Sequence, residues 1–255
     1  IPDKTPIEEC VDIGGSISAG YMSDYVFYGY RFARDSVWTD VNYTFDNLVV
    51  PINIGAWYLN GIGGAPTYDE LDLYISAELG TFAGFDASLG YTYFFFPEGV
   101  GIGSYGEVGL DISRSLGFVD FAAEANYAML GRTGDTGGAW YYQVGISKEF
   151  GLTDAMSLVL STGVGYSDGY ASSNFLGISA AGSESQRTAG GGSGWNHYYV
   201  TAELPIALNC RATLTPYLSY SGAPDTWVAD GVDGMLNGNL QSDILSAGVS
   251  LSVSF

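Results

Sequence analysis

Charged residues, and basic ones above all, are scarce in this sequence. They make up 14% of the 255 residues, whereas an average soluble protein carries ~25%. Lys plus Arg number 8 against 28 Asp plus Glu. This is too little charge to coat a soluble surface of this size. The acidic excess makes nucleic acid and other polyanions unsuitable partners and favours cations.

Long apolar runs and histidines are also lacking. No run approaches the ~18 to 20 residues of a membrane helix, which excludes a helical membrane protein. His197 is the only histidine, so a metal site with several imidazoles is excluded, and a Ser–His hydrolase is disfavoured because His197 falls on the polar side of its segment. We therefore expect no enzyme and no catalytic residue. No apolar leader begins the chain, so we expect a mature protein whose signal peptide has been removed.

Apolar residues alternate with small polar or acidic ones along most of the chain. In residues 244–255, the side with Leu245, Val249 and Phe255 is apolar and the other side is serine and glycine. This period of two is typical of a strand with one apolar and one polar face. The pattern recurs in about twelve segments, an even number as in bacterial barrels. The sequence predicts an all-β fold, a single transmembrane antiparallel up-and-down β-barrel over residues 1–255, with its apolar side towards outer-membrane lipids.

The lengths of the connections predict an orientation in the outer membrane. Short and long connections alternate strictly, as periplasmic turns and extracellular loops do, and the first of the longer connections is predicted near Arg31. Both termini are then periplasmic, with residues 1–10 as a periplasmic N-terminal segment, and residues 167–194 and 222–243 form long extracellular loops. Calcium or magnesium could bridge three aspartates of the last loop, although a solvated acidic surface is the simpler interpretation, and no other cofactor is expected. These candidates are Asp225, Asp230 and Asp233.

Acidic residues lie on the polar side of most predicted strands, and the basic residues fall mainly in predicted loops and turns. If the apolar sides contact lipid, the acids point into the lumen and attract cations. The alternative interpretation is that they are solvated or hydrogen-bonded groups that fill a narrow lumen. The predicted lumen-facing acids are Asp12, Asp40, Asp72, Glu78, Asp86, Glu107, Asp111, Asp120, Glu124, Glu149 and Glu203.

Five segments resemble those of one family and occur in the same order. They are S-D-Y-V-F-Y-G from Ser23, E-L-D-L-Y from Glu70, G-Y-T-Y-F from Gly90 with Pro97, Y-G-E-V from Tyr105, and G-V-G-Y-S-D-G from Gly163. On these segments the sequence resembles the TorF-type porins, a family of small outer-membrane barrels, and the resemblance implies an outer-membrane channel without catalytic residues. Tyr28 stands where the family has an arginine, and Arg31 could take its place.

Two functions fit these features. The first is passive diffusion of small cations or small polar solutes through the lumen. The second is a plugged structural barrel whose extracellular loops bind a cell-surface partner or neighbouring copies in a homo-oligomer, which the length and Gly/Ser content of residues 167–194 suggest.

The two cysteines are predicted to meet at the periplasmic rim. Cys10 precedes the first strand and Cys210 lies in the last short turn. In a closed barrel the first and last strands pair, which brings these positions within reach of a disulfide. A free-thiol assay on unreduced, unfolded protein is expected to count no thiol. A count of two would show that the cysteines are independent.

Overall fold

The computed structural model is a closed antiparallel β-barrel, described over residues 13–63, 68–97, 104–129, 138–170, 193–225, 227–228 and 243–255. Sequential strands pair with each other, and the first strand pairs with the last. Within these ranges no helix is long and apolar enough to span a membrane. The strands are β1 (Gly15–Phe27), β2 (Tyr30–Phe45), β3 (Ile52–Gly63), β4 (Tyr68–Phe82), β5 (Phe85–Phe95), β6 (Tyr105–Ser115), β7 (Asp120–Ala128), β8 (Ala139–Thr153), β9 (Met156–Asp168), β10 (Gly194–Glu203), β11 (Ile206–Ala207), β12 (Ala212–Gly222) and β13 (Asp243–Ser254).

The strands fill twelve positions around the barrel. β10 and β11 occupy one position, since both pair with β9 and β12. The interruption falls at Leu204 and Pro205, where proline has no N–H to donate to the ladder. The predicted all-β barrel of about twelve strands is confirmed.

Large aliphatic side chains face outward around the barrel. Ile17, Val41 and Leu73 are 49%, 47% and 49% exposed, respectively. Such exposure along many strands would make a soluble protein aggregate, whereas lipid solvates it in a membrane barrel. The alternation in the sequence therefore assigned the two faces of the strands correctly.

Tyrosine rings on the lumen side lie across glycines of neighbouring strands. The Tyr74 ring covers Gly55, and a methyl group on Gly248 would lie 2.5 Å from Cε1 of Tyr217. A side chain at either glycine would displace the ring. The high counts of glycine and tyrosine, 37 and 20, thus have a packing reason, because a large ring fits where its neighbour has no side chain.

The connection between β1 and β2 differs from the prediction. A long loop is predicted here, but both strands continue to a two-residue turn at Tyr28 and Gly29. Both turn residues have positive φ, 49° and 81°, as in the type I′ turns that match the twist of a hairpin. A register shift after Tyr25 locally increases the twist and bend of the strand. We call residues 23–34 the hairpin tip.

The predicted terminal segment and long loops lie largely outside the described residues. This applies to residues 1–10, to most of 167–194 and to most of 222–243. At their edges, β9 ends at Asp168, β10 begins at Gly194, β12 ends at Gly222 and β13 begins at Asp243. The roles of these segments stay predictions.

Candidate functional site: the lumen

The hairpin tip crosses the lumen and binds the opposite wall. The Tyr28 hydroxyl donates to Oε1 of Glu107 on β6 (2.8 Å) and accepts from Nδ2 of Asn126 on β7 (2.7 Å). Nδ2 of Asn196 on β10 donates to the Tyr28 carbonyl oxygen (2.6 Å). β7 lies halfway around the barrel from β1. These bonds therefore hold the turn inside the cylinder.

One face of the hairpin tip packs against an aromatic wall. The ring centroids of Tyr25 and Trp57 are 5.5 Å apart, and those of Phe27 and Phe94 are 5.7 Å apart. Aromatic pairs at such distances add ~0.5 to 1.5 kcal/mol each beyond their burial. The contacts thus stabilise the inward position. The same cluster contains Phe32, Tyr68, Phe96 and Tyr105.

A buried ion pair neutralises part of the tip. Nε of Arg31 lies 2.7 Å from Oδ1 of Asp24, and the Arg31 side chain is only 5% exposed. Nε of Arg34 lies 3.9 Å from the same oxygen. The prediction that Arg31 belongs to a loop is wrong, because Arg31 lies in β2 and is buried against Asp24. A charge at this depth requires such a partner.

Described residues of the lumen line three cavities, and the hairpin tip borders two of them. The lower cavity, near the short turns, has a volume of about 480 Å³, the aromatic cavity about 350 Å³ and the side cavity about 410 Å³. Glu124 lines all three, so it lies where they meet. The lower cavity is defined by Glu78, Thr81, Asp86, Ser88 and Asp111; the aromatic cavity by Phe27, Tyr28, Trp57, Asp72, Tyr74 and Phe94; the side cavity by Asp24, His197, Thr201, Glu203, Ser219 and Ser246.

Most of the predicted lumen acids lie at these cavities. Asp40 accepts a hydrogen bond from the Tyr74 hydroxyl (2.8 Å). Asp120 and Glu149 are exposed near the short turns and line none of the three cavities, and Asp12 lies outside the described residues. No Lys or Arg belongs to the described lining of any of the three. The acids that line a cavity are Asp72, Glu78, Asp86, Glu107, Asp111, Glu124 and Glu203.

Sequence reasoning missed one buried acid of the lumen wall. Glu70 is 2% exposed and accepts a hydrogen bond from the Tyr68 hydroxyl (2.6 Å). It has the same strand parity as Asp72, so the alternation contained the signal. Glu70 lies just before the alternation that begins at Leu71, and the predicted lumen acids of this segment therefore begin with Asp72.

His197 lies on the lumen side and is 4% exposed. Its Nδ1 lies 3.3 Å from Nδ2 of Asn196, and its ring is stacked 6.3 Å from Tyr141. A methyl group on Gly29 would contact its Cγ at 2.5 Å. His197 therefore belongs to the seat of the hairpin tip, by which we mean the part of the opposite lumen wall that contacts the tip.

The remaining predicted sites fall partly or wholly outside the described residues. Among the residues that are described, no three His, Cys, Asp or Glu side chains are grouped as a metal site. Asp225 lies just after β12, but Asp230 and Asp233 are not described, and neither is Cys10. The divalent-cation site and the disulfide with Cys210 stay predictions.

Comparisons with known proteins identify the fold. No family model and no curated protein matches this chain. The NanC porin is similar at 12% identity, with a TM-score of 0.52 and coverage of 94% of this chain and 100% of that chain. The KdgM porin, in complex with disordered oligogalacturonate, is similar at 8% identity, with a TM-score of 0.53 and coverage of 94% of this chain and 99% of that chain. An outer-membrane channel from Pseudomonas putida F1 is similar at 12% identity, with a TM-score of 0.52 and coverage of 99% of this chain and 100% of that chain.

Likeness at such low identity establishes the architecture and leaves the solute open. It does not test the resemblance to TorF-type porins, which stays a prediction. The chain has the fold of outer-membrane β-barrel channels.

Proposed function

We propose that the protein is an outer-membrane channel for passive diffusion of small solutes, and that it prefers cations. One observation carries the proposal: three cavities, whose described lining contains acids and no Lys or Arg, meet at Glu124. The outward aliphatic side chains suit contact with outer-membrane lipids. The short turns then face the periplasm and the longer connections face the outside.

The preference for cations follows from charge in a confined space. Carboxylates in a lumen with walls of low dielectric constant concentrate counter-ions and exclude ions of their own sign. The ion pair with Arg31 removes Asp24 from this set, but no described residue that lines the cavities of Asp111 and Glu124 is basic. An acidic oligosaccharide such as the oligogalacturonate of the KdgM complex is therefore a poor candidate solute.

The reversal potential of the channel in a planar bilayer tests the proposal. With a KCl gradient at neutral pH, the potential is expected to have the sign of a cation-preferring pore, with potassium at least about fivefold more permeant than chloride. Raising the ionic strength should reduce the preference, because salt screens the acids. Anion preference at low salt would overturn the proposal.

A plugged barrel is the second candidate, and the hydrogen bonds of Tyr28 to three strands of the far wall support it. In that case the hairpin tip is a permanent structural element, and outer loops bind a partner or neighbouring copies. Correctly folded protein would then insert into bilayers without conductance. Deleting residues 171–192 should abolish the binding, and unchanged assembly and surface attachment would count against this candidate.

A further inference from the structure

Acidic and aromatic side chains alternate in one row across the lumen wall. Trp57 is the partner of Asp40 on one side and of Asp72 on the other, and Asp72 is also paired with Phe94. Tyr105 continues the row beyond Phe94. Side chains at directly paired positions lie ~4.5 to 5.5 Å apart at Cβ. Asp72 therefore has an aromatic neighbour on each side.

The Asp72 carboxyl group shares a hydrogen bond with the carboxyl group of Glu70, but one of its two oxygens lacks the hydrogen-bond donor that its neighbours have. Asp72 is 9% exposed, and its Oδ1 accepts no hydrogen bond from any described residue. Glu107, in the same cavity, accepts from both Tyr28 and Tyr170 at 2.8 Å. A buried carboxylate oxygen without a donor is costly. A cationic ligand in the cavity would remove that cost.

Five aromatic rings line the aromatic cavity, together with Glu107, Asp111, Glu124 and several small residues. Trp57, Tyr74 and Phe94 come from the barrel, while Phe27 and Tyr28 of the hairpin tip border it from the opposite side. Ring faces attract cations, and recognition of quaternary ammonium groups by several rings is a known use of this attraction. A cavity of about 350 Å³ is within the size range of small-molecule sites.

A bare inorganic cation suits this cavity less well than an organic one. Potassium must exchange its hydration shell for oxygen ligands, whereas the five rings of this lining offer none. An alkylated ammonium group has an apolar surface that fits ring faces and a charge that fits Asp72. The lining therefore distinguishes between classes of cation.

We propose that the aromatic cavity binds small alkylammonium cations, with the Asp72 carboxylate opposing the charge and the rings of Trp57 and Phe94 enclosing the alkyl groups. The inference rests on the proposed cation-preferring channel and names its class of solute. Tyr28 and Phe27 complete the site, so the hairpin tip is part of the solute selection.

Calorimetric titration of the full-length protein in detergent tests the site without requiring conductance. The probes are choline and its uncharged isostere 3,3-dimethyl-1-butanol. Choline is expected to bind with about 1:1 stoichiometry and at least about tenfold more tightly than the alcohol, because only choline gains the charge and cation–π terms. Equal binding of the two probes, or no binding of choline, would overturn the inference.

Two substitutions assign the roles within the site. Asp72→Asn should weaken choline binding about tenfold and Trp57→Leu about fivefold, and neither should alter the weak binding of the alcohol by as much. The matched controls are Glu149→Gln and Trp38→Phe, whose positions line none of the three cavities, and both should bind choline as the parent does. If Trp57→Leu fails to fold, Trp57→Phe, which keeps a weaker ring, should give an intermediate loss. Wild-type affinity in Asp72→Asn would contradict the assignment.

The outcome separates this inference from the proposed function. Choline binding by a barrel that does not conduct would support the proposed binding site and contradict the proposed channel function. Potassium selectivity in bilayers without choline binding would support the proposed channel function and contradict the proposed binding site.

Discussion

A barrel without its hairpin tip is expected to conduct at least about two- to threefold more than the parent, because the tip occupies the cross-section of the lumen. The variant replaces residues 23–35 by Asn-Gly. Met22 and Ser36 are directly paired, and Asn-Gly favours the two-residue turn that joins such a pair. Single-channel recording in a planar bilayer measures the effect. Unchanged conductance would mean that ions do not pass the tip.

A point substitution tests the same seat with the whole chain present. Gly29 has φ of 81°, and a methyl group there would lie 2.5 Å from Cγ of His197. Gly80 has φ of 84° and nothing within 4 Å of the same position. Gly29→Ala and Gly80→Ala thus share a backbone penalty of ~1 to 2 kcal/mol, but only the first displaces the tip. Gly29→Ala should increase conductance, and an equal effect of Gly80→Ala would contradict the mechanism.

Reversing the charge of Glu124 is expected to lower the cation-to-anion permeability ratio by an order of magnitude. A unit charge about 4 Å from an ion is worth ~1 kcal/mol even at the dielectric constant of water, so Glu124→Lys changes the energy of a passing ion by about 2 kcal/mol. Its position where the three cavities meet places it on any path between them. Reversal potentials in a KCl gradient measure the ratio.

Glu149→Lys is the matched control for this effect. It makes the same change of net charge on the adjacent strand β8, at an exposed position that lines none of the three cavities. Its permeability ratio should stay within about twofold of the parent, because solvent screens a charge at the rim. Equal shifts in the two variants would show that selectivity reflects total charge, and Glu124 would lose its assigned role.

The barrel could be predicted from the sequence because its signal is local and repeated. The alternation within each strand distinguishes its outward face from its lumen face, as the exposure of Ile17, Val41 and Leu73 illustrates. The even number of strands and the short turns followed from the same pattern. Lumen-side acids such as Glu124 could be assigned for that reason, since parity fixes which way a side chain points.

The course of the hairpin tip could not be predicted in this way. Residues 23–34 mix aromatic, acidic and basic residues, a composition that also fits an interfacial loop. What decides their position is contact with distant strands: Glu107 lies 79 positions from Tyr28 in the chain, and Asn126 lies 98. Such partners have no signature at the tip itself. The unsatisfied Asp72 oxygen likewise becomes visible only when its surroundings are assembled.

The seat of the hairpin tip also imposes an order on folding. The Tyr30 hydroxyl donates to Asn196, 166 positions later in the chain, so this bond can form only when β10 has joined the sheet. Contacts of such separation form late, because they close a very long loop. Before that point the strands can pair, but the lumen has no fixed filling. The first hairpin of the chain is therefore among the last elements to reach its final position. Its tip can bind the far wall of the barrel only after that wall is complete.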